Sequence, residues 1–123
     1  MKRKMIIPAM LVLVAVLLSV CFSARQESLG NMTRWFNEPA TGSARISFVG
    51  EANAEIKLSF KSNVKAGELD IFLYDSNGNM VYELDRAKAL ETYYVFEKTD
   101  NYTLTAEYID FVGNYKITVY EME

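Results

Sequence analysis

The sequence predicts an all-β fold, a single small antiparallel β-sandwich of about seven strands. Three observations predict it. Apolar residues recur at every second position from Ala44 to the end, clusters of turn residues interrupt that alternation at short intervals, and no helical period follows the apolar N-terminal leader. A jelly-roll-like arrangement fits the strand count, with a closed barrel as the other arrangement.

The leader comes first, over 1–21. Lys2-Arg3-Lys4 precedes a run from Met5 to Phe22 that is apolar apart from Pro8 and Ser19. Cations followed by an apolar run and small residues form the order of a secretory signal, in which the cations stay cytoplasmic while the run enters the bilayer. This predicts an N-terminal signal or anchor helix, since the run is close to the ~20 apolar residues that span a membrane. The segment Leu18-Ser19-Val20-Cys21 resembles the bacterial lipobox, although Val20 stands where glycine, alanine or serine usually precedes the cysteine. The resemblance implies lipidation of Cys21, the only cysteine, as first mature residue. Ordinary signal-peptidase cleavage beside Cys21 or after Ser23 is the alternative. Both routes place the rest outside the cytoplasm, either anchored to the outer face of the cell membrane by lipid or leader, or secreted.

Residues 22–31 read as a flexible polar tether, with Arg25, Gln26, Glu27 and Ser28 and no apolar period. The sandwich domain is then expected over 32–123. It opens with Met32-Thr33-Arg34-Trp35-Phe36, whose Trp35 is expected in a first strand or as a plug over the core rather than as a ligand platform.

Ile46 and Phe48 alternate with Arg45 and Ser47 in the next strand. Ile56, Leu58 and Phe60 alternate with Lys57, Ser59 and Lys61 in the one after, a dry face and a wet one. Gly67 is expected at a turn, leading into inward Leu69, Ile71 and Leu73. Asp75-Ser76-Asn77-Gly78-Asn79 is a hairpin signal, because Asn and Gly tolerate the positive φ of a tight turn. Met80, Tyr82 and Leu84 are expected inward on the strand that follows, and a strand is expected over 90–97. Tyr102, Leu104, Ala106 and Tyr108 point inward on the next, Gly113-Asn114 is expected to turn, and Tyr115, Ile117 and Val119 close the core.

Three pieces of this order, GELDIFLYDSNGNMVYEL from Gly67, NYTLTAEY from Asn101 and GNYKITVYE from Gly113, resemble a recurring domain of small bacterial lipoproteins. They are also similar in layout to the bacterial pre-peptidase C-terminal domain, a jelly-roll-like sandwich appended to secreted enzymes. The resemblance covers about two-thirds of the chain and implies a fold and an address rather than a reaction.

Charge and composition narrow the chemistry. All sixteen carboxylates lie beyond the leader, which holds three of the thirteen cations, so the remainder carries a net charge of −6. An acidic domain is no partner for nucleic acid, whose phosphates demand a basic face. Without histidine and with one cysteine, no intramolecular disulfide, zinc site or nucleophile–histidine pair can form. No cofactor or metal is expected: Asp75, Asn77 and Asn79 alternate like calcium ligands, but a calcium loop requires glycine at its sixth position and glutamate at its twelfth, whereas Gly78 is fourth and Arg86 is twelfth. Asp70, Glu83, Asp85, Glu91 and Glu97 supply carboxylates without singling out a catalytic pair, so no catalytic residue and no enzyme is expected. Eight tyrosines suggest a binding platform for a protein or carbohydrate partner, because tyrosine joins a flat apolar face to a polar tip. Tyr74, Tyr93 and Tyr120 are the candidates, each opposite in phase to the inward residues of its strand. A structural accessory module without a ligand is the alternative function.

Overall fold

In the structure, a computed structural model, residues 27–122 are described; Cys21 and the expected signal or anchor helix lie outside them. Five strands form the fold, β1 (Glu27–Gly50), β2 (Glu55–Tyr74), β3 (Met80–Leu84), β4 (Ala89–Val95) and β5 (Asp100–Glu121), with no helix among the described residues. Every pairing is antiparallel. In both halves β5 lies between β1 and β2, while β3 extends one half of β2 and β4 the other.

The hydrogen-bonded sheet therefore folds over into two four-stranded layers. The first layer joins residues 28–36 of β1, 113–121 of β5 and 55–64 of β2 with β4; the second joins 40–50, 100–111 and 66–74 with β3. The three long strands pass from one layer to the other through register shifts at Phe36–Gly42 of β1 and Val64–Glu68 of β2. Strands that switch layers through bulges are how a folded sheet turns a corner. Gly67 and Gly113, with φ of +78° and +139°, mark that corner. The two glycines expected at turns thus sit in bends inside continuous strands. A bend and a turn ask for the same residue, so composition does not separate them.

Period two is obeyed on both sides of the corner. Ile56, Leu58, Phe60, Leu69, Ile71, Leu73, Leu104, Ile117 and Val119 are buried in one cluster with Phe96, Phe111 and Tyr115. The layers touch through Tyr82 and Tyr94, whose ring centroids are 5.4 Å apart, and through a hydrogen bond between the hydroxyls of Tyr82 and Thr92. Met80 departs from its expected inward place and is exposed, because the β2–β3 register shifts between Leu73 and Tyr74.

Two N-terminal expectations are corrected. Residues 27–31 belong to β1, paired from Glu27↔Glu121 onward, rather than to a tether; the backbone ladder needs no apolar side chains, so a polar stretch gave no strand signal. Trp35 lies in the first strand, as expected, but is 72% exposed instead of packed into the core. The alternation that buries Met32 and tucks Phe36 against the core turns residue 35 to the opposite face.

Tyr115 brings a polar atom into the core. Only 1% exposed, its hydroxyl has no hydrogen-bond partner among the described residues, and burial pushes its pKa up to about 12. An unsatisfied buried group costs ~1–3 kcal/mol, so Tyr115→Phe is expected to leave stability unchanged or raise it by up to about 2 kcal/mol in urea titrations at pH 7. Alkali separates the two proteins further. With the folded pKa above the unfolded value, the Tyr115 contribution is intact below pH 10. It is lost as pH rises from 10 to 12, at roughly 1.4 kcal/mol per pH unit, so the advantage of Tyr115→Phe should widen across that window.

Candidate functional site

The outer face of the first layer carries Trp35, Tyr93 and Tyr120 together with Lys57, Lys61 and Lys116. Its rows follow from strand register. Tyr93 of β4 pairs with Lys57 of β2, and Lys57 pairs with Tyr120 of β5. The Lys57 Nζ stands 4.9 Å from the centroid of the Tyr120 ring, a distance at which an ammonium is attracted by the ring's negative face. Two of the three tyrosines expected to bind a ligand thus share one row with a lysine between them. Tyr93 is 50% exposed.

Further along the face, Ser59 pairs with Glu91 on one side and Thr118 on the other, and Lys61 pairs with Lys116, beyond which lies Thr33 of β1. The last row before the corner runs Asn63–Asn114–Trp35. Ser59, Lys61, Lys116, Thr118 and Tyr120 enclose a shallow depression of about 180 Å³. Sequence reasoning missed Trp35 and the lysines as members of one face. The signal was present in the parity of Met32, Phe36, Phe60 and Ile117, but it acquires meaning only once the strands are in register.

Tyr74 lies elsewhere. It sits on the outer face of the second layer, in register with Thr103, and lines a separate open depression with Arg45, Thr105 and Glu107. Burial there, with Glu107 and Glu83 nearby, raises the pKa of its phenol. The three candidates therefore do not form one site.

Three carboxylates, Asp70, Asp75 and Asp100, are occupied with structure. Asp70 receives two hydrogen bonds from the Arg86 guanidinium, at 2.7 and 2.8 Å, and these hold its pKa below the ordinary carboxylate value. That is opposite to what a general acid needs. Asp75 is buried in the β2–β3 turn and accepts the backbone N–H groups of Asn77 and Asn79, each at 2.9 Å. Its second oxygen is 3.3 Å from the Lys98 Nζ. The Asp-x-Asn pattern that resembles a calcium loop is thus an Asx-type cap of a hairpin. Asp100 ties the same turn to β5 by accepting the Ser76 N–H, which together with the Ser76 side chain lowers its pKa to about 2.

One cavity of about 290 Å³ opens between the layers at the corner, floored by Phe60, Val64 and Leu69 and rimmed by Glu68, Arg86 and Lys88. It lies under the β3–β4 connection, which Ser62 fastens by donating its hydroxyl to the Ala87 carbonyl and its N–H to that of Lys88.

No family model and no curated protein sequence gives a significant match to this chain. Solved structures do. The pre-peptidase C-terminal domain of a collagenase from Bacillus anthracis superimposes with a TM-score of 0.55 at 14% identity, over 73% of this chain and 87% of that one. A periplasmic inhibitor of g-type lysozyme from Aeromonas hydrophila gives a TM-score of 0.53 at 7% identity, over 80% of this chain and 85% of that one. Identities this low speak for architecture alone, and the architecture agrees with the layout expected from the strand order: this chain is an all-β antiparallel sandwich with the fold of the pre-peptidase C-terminal domain.

Proposed function

We propose that this chain is an exported, non-enzymatic binding module, held to the outer face of the cell membrane by a lipid on Cys21, whose first-layer face binds a cell-envelope polysaccharide. The observation that carries the ligand reading is the row Tyr93–Lys57–Tyr120, with Trp35 on the same face. Aromatic planes stack on sugar rings, and neighbouring hydroxyl and amide groups such as Thr118, Ser59 and Asn114 supply hydrogen bonds for sugar hydroxyls. The address rests on the leader and the lipobox-like Leu18–Cys21. It agrees with the periplasmic source of one protein of like fold.

Tyr120→Ala and Tyr93→Ala are each expected to weaken retention on an immobilised envelope polysaccharide fraction by about tenfold, from ~1–3 kcal/mol per lost stacking contact by analogy with base stacking, while Tyr74→Ala leaves it unchanged. Equal retention of all three variants would refute the assignment of the face. For the anchor, intact mass of membrane-extracted protein should show a diacylglycerol adduct that Cys21→Ala lacks.

A second reading has its own observation. β1 pairs with β5 alone along its length among the described residues, leaving a long edge. An edge of that kind accepts an added strand, which suits a protein partner or an accessory role in an envelope complex. The lysozyme inhibitor of like fold acts on a protein.

A further inference from the structure

We propose that Lys61 and Lys116 form a subsite for the anionic groups of the polysaccharide, so that the ligand of the first-layer face is an acidic glycan carrying carboxylate or phosphate. This rests on the reading of that face as a glycan platform and adds the charge of the ligand to it.

Lys61 of β2 and Lys116 of β5 are register partners on adjacent antiparallel strands. Like charges directly opposite each other destabilise a sheet. Neither lysine makes an ion pair among the described residues, and the carboxylate nearest in register, Glu91, pairs with Ser59 one row away. In a domain with a large excess of carboxylates, two cations face each other without an acid between them. Hydroxyls border the pair, with Ser59 and Thr118 in the adjacent row and Thr33 beside Lys116. Two ammonium groups flanked by hydroxyl donors, above a depression of about 180 Å³, complement one carboxylate or phosphate.

The rest of the molecule sharpens the contrast. The first-layer face carries Lys57, Lys61 and Lys116 against Glu55 and Glu91, whereas the second-layer face carries Asp70, Glu83 and Glu107 against Arg45, with Arg86 already bound to Asp70. Three lysines thus share the first-layer face with Tyr93, Tyr120 and Trp35. The lysine pair lies between Tyr120 and the Trp35–Asn114 row, ends separated by roughly 20 Å at ~3.4 Å per residue. A linear glycan laid along β5 would meet a ring, a cationic pair and a second ring in turn. An anionic bilayer fits less well. The chain enters the fold at the end of β1 paired with Glu121, and Glu55 and Glu121 are exposed there, so carboxylates face the side from which a leader would come.

The test uses the full chain in detergent, with polygalacturonate as the polyuronate, a phosphomannan as the phosphate-bearing glycan, neutral galactan, and polyglutamate as an acidic polymer without sugars. The wild type should bind one or both anionic glycans at least tenfold more tightly than galactan, in a salt-sensitive manner; which of the two separates carboxylate from phosphate recognition. The double variant Lys61→Gln, Lys116→Gln should lose at least tenfold for the anionic glycan. Its thermal midpoint should be equal or higher, because a repulsion is removed. Undiminished binding by the double variant, with loss in Tyr120→Ala, would overturn the anion subsite and leave the platform standing. Binding to none of the glycans would overturn both. Polyglutamate bound as tightly as the glycan would overturn the sugar assignment. So would protection of Lys61 and Lys116 from acylation by phosphatidylglycerol bilayers but not by glycan.

Discussion

Gly113→Ala is expected to lower unfolding free energy by on the order of 4 kcal/mol, enough to leave much of the protein unfolded in mild urea. Two costs combine at this position. The backbone φ is +139°, a conformation that side-chain-bearing residues rarely adopt. A methyl group there would lie 1.9 Å from the Asn63 carbonyl oxygen and 3.2 Å from the Lys65 backbone nitrogen. Those atoms belong to β2 where it rounds the corner beside β5, so the methyl group can be admitted only by parting two central strands. Gly78→Ala is the control. Its φ is also positive, at +80°, but nothing lies within 4 Å of the added carbon, so only the conformational cost of about 1 kcal/mol remains. Urea midpoints of the two variants measure the difference. Equal loss in both would mean that the strands do not approach each other at Gly113, and that the two-layer corner is wrongly placed.

The contrast between those glycines also shows what the sequence could convey. Gly78 follows Asp75 and Asn77, whose polar side chains announce a hairpin, and a hairpin is what forms. Gly113 and Gly67 sit among alternating apolar residues, where a glycine fits a turn or a bend equally well. Only the pairing of Val64 with Gly113 and of Glu68 with Ile109 reveals that both strands carry on. The inward sets were legible almost residue by residue, because burial on one side of a strand imposes a period of two that no other force imitates. The candidate site was legible in part. Phase alone placed Tyr93 and Tyr120 outward, but phase is a property of one strand, and it said nothing about which layer each strand joins. Tyr74 therefore looked equivalent to the other two and proved to lie across the molecule. Trp35 was misread for a different reason: the general bias of tryptophan toward burial was set above the parity of its own neighbours, Met32 and Phe36. Lys61 and Lys116 are far apart in sequence, and their opposition exists only in the β2–β5 register.

Phe96→Ala is expected to cost about 3–5 kcal/mol, the range for removing a fully buried aromatic ring from a core that cannot collapse around the void. The residue follows β4 and is 1% exposed. Its ring lies 4.4 Å from that of Tyr102, 5.6 Å from Tyr94 and 6.2 Å from Phe48. Tyr102 and Phe48 belong to the second layer and Tyr94 to the first, so one ring fills the gap between layers at the end opposite the corner. Two backbone bonds fix it there: the Phe96 N–H donates to the Ala54 carbonyl at 3.0 Å, and its own carbonyl accepts the Asn53 N–H at 2.7 Å. With the main chain held on both sides, neighbouring side chains cannot close the space, which places the expected loss toward the upper part of the range. Phe72→Ala removes a ring of the same size from the outer face of β2, where Phe72 is half-buried against Tyr74, and should cost about 1 kcal/mol, part of the ~1.5–3 kcal/mol of complete burial. The pair tests parity directly, since the two phenylalanines differ chiefly in the side of the sheet that they occupy. Equal urea midpoints for the two variants would mean that the layers do not close over Phe96, and the faces assigned to Tyr93, Tyr120 and the lysines would then lose the inward set that defines them.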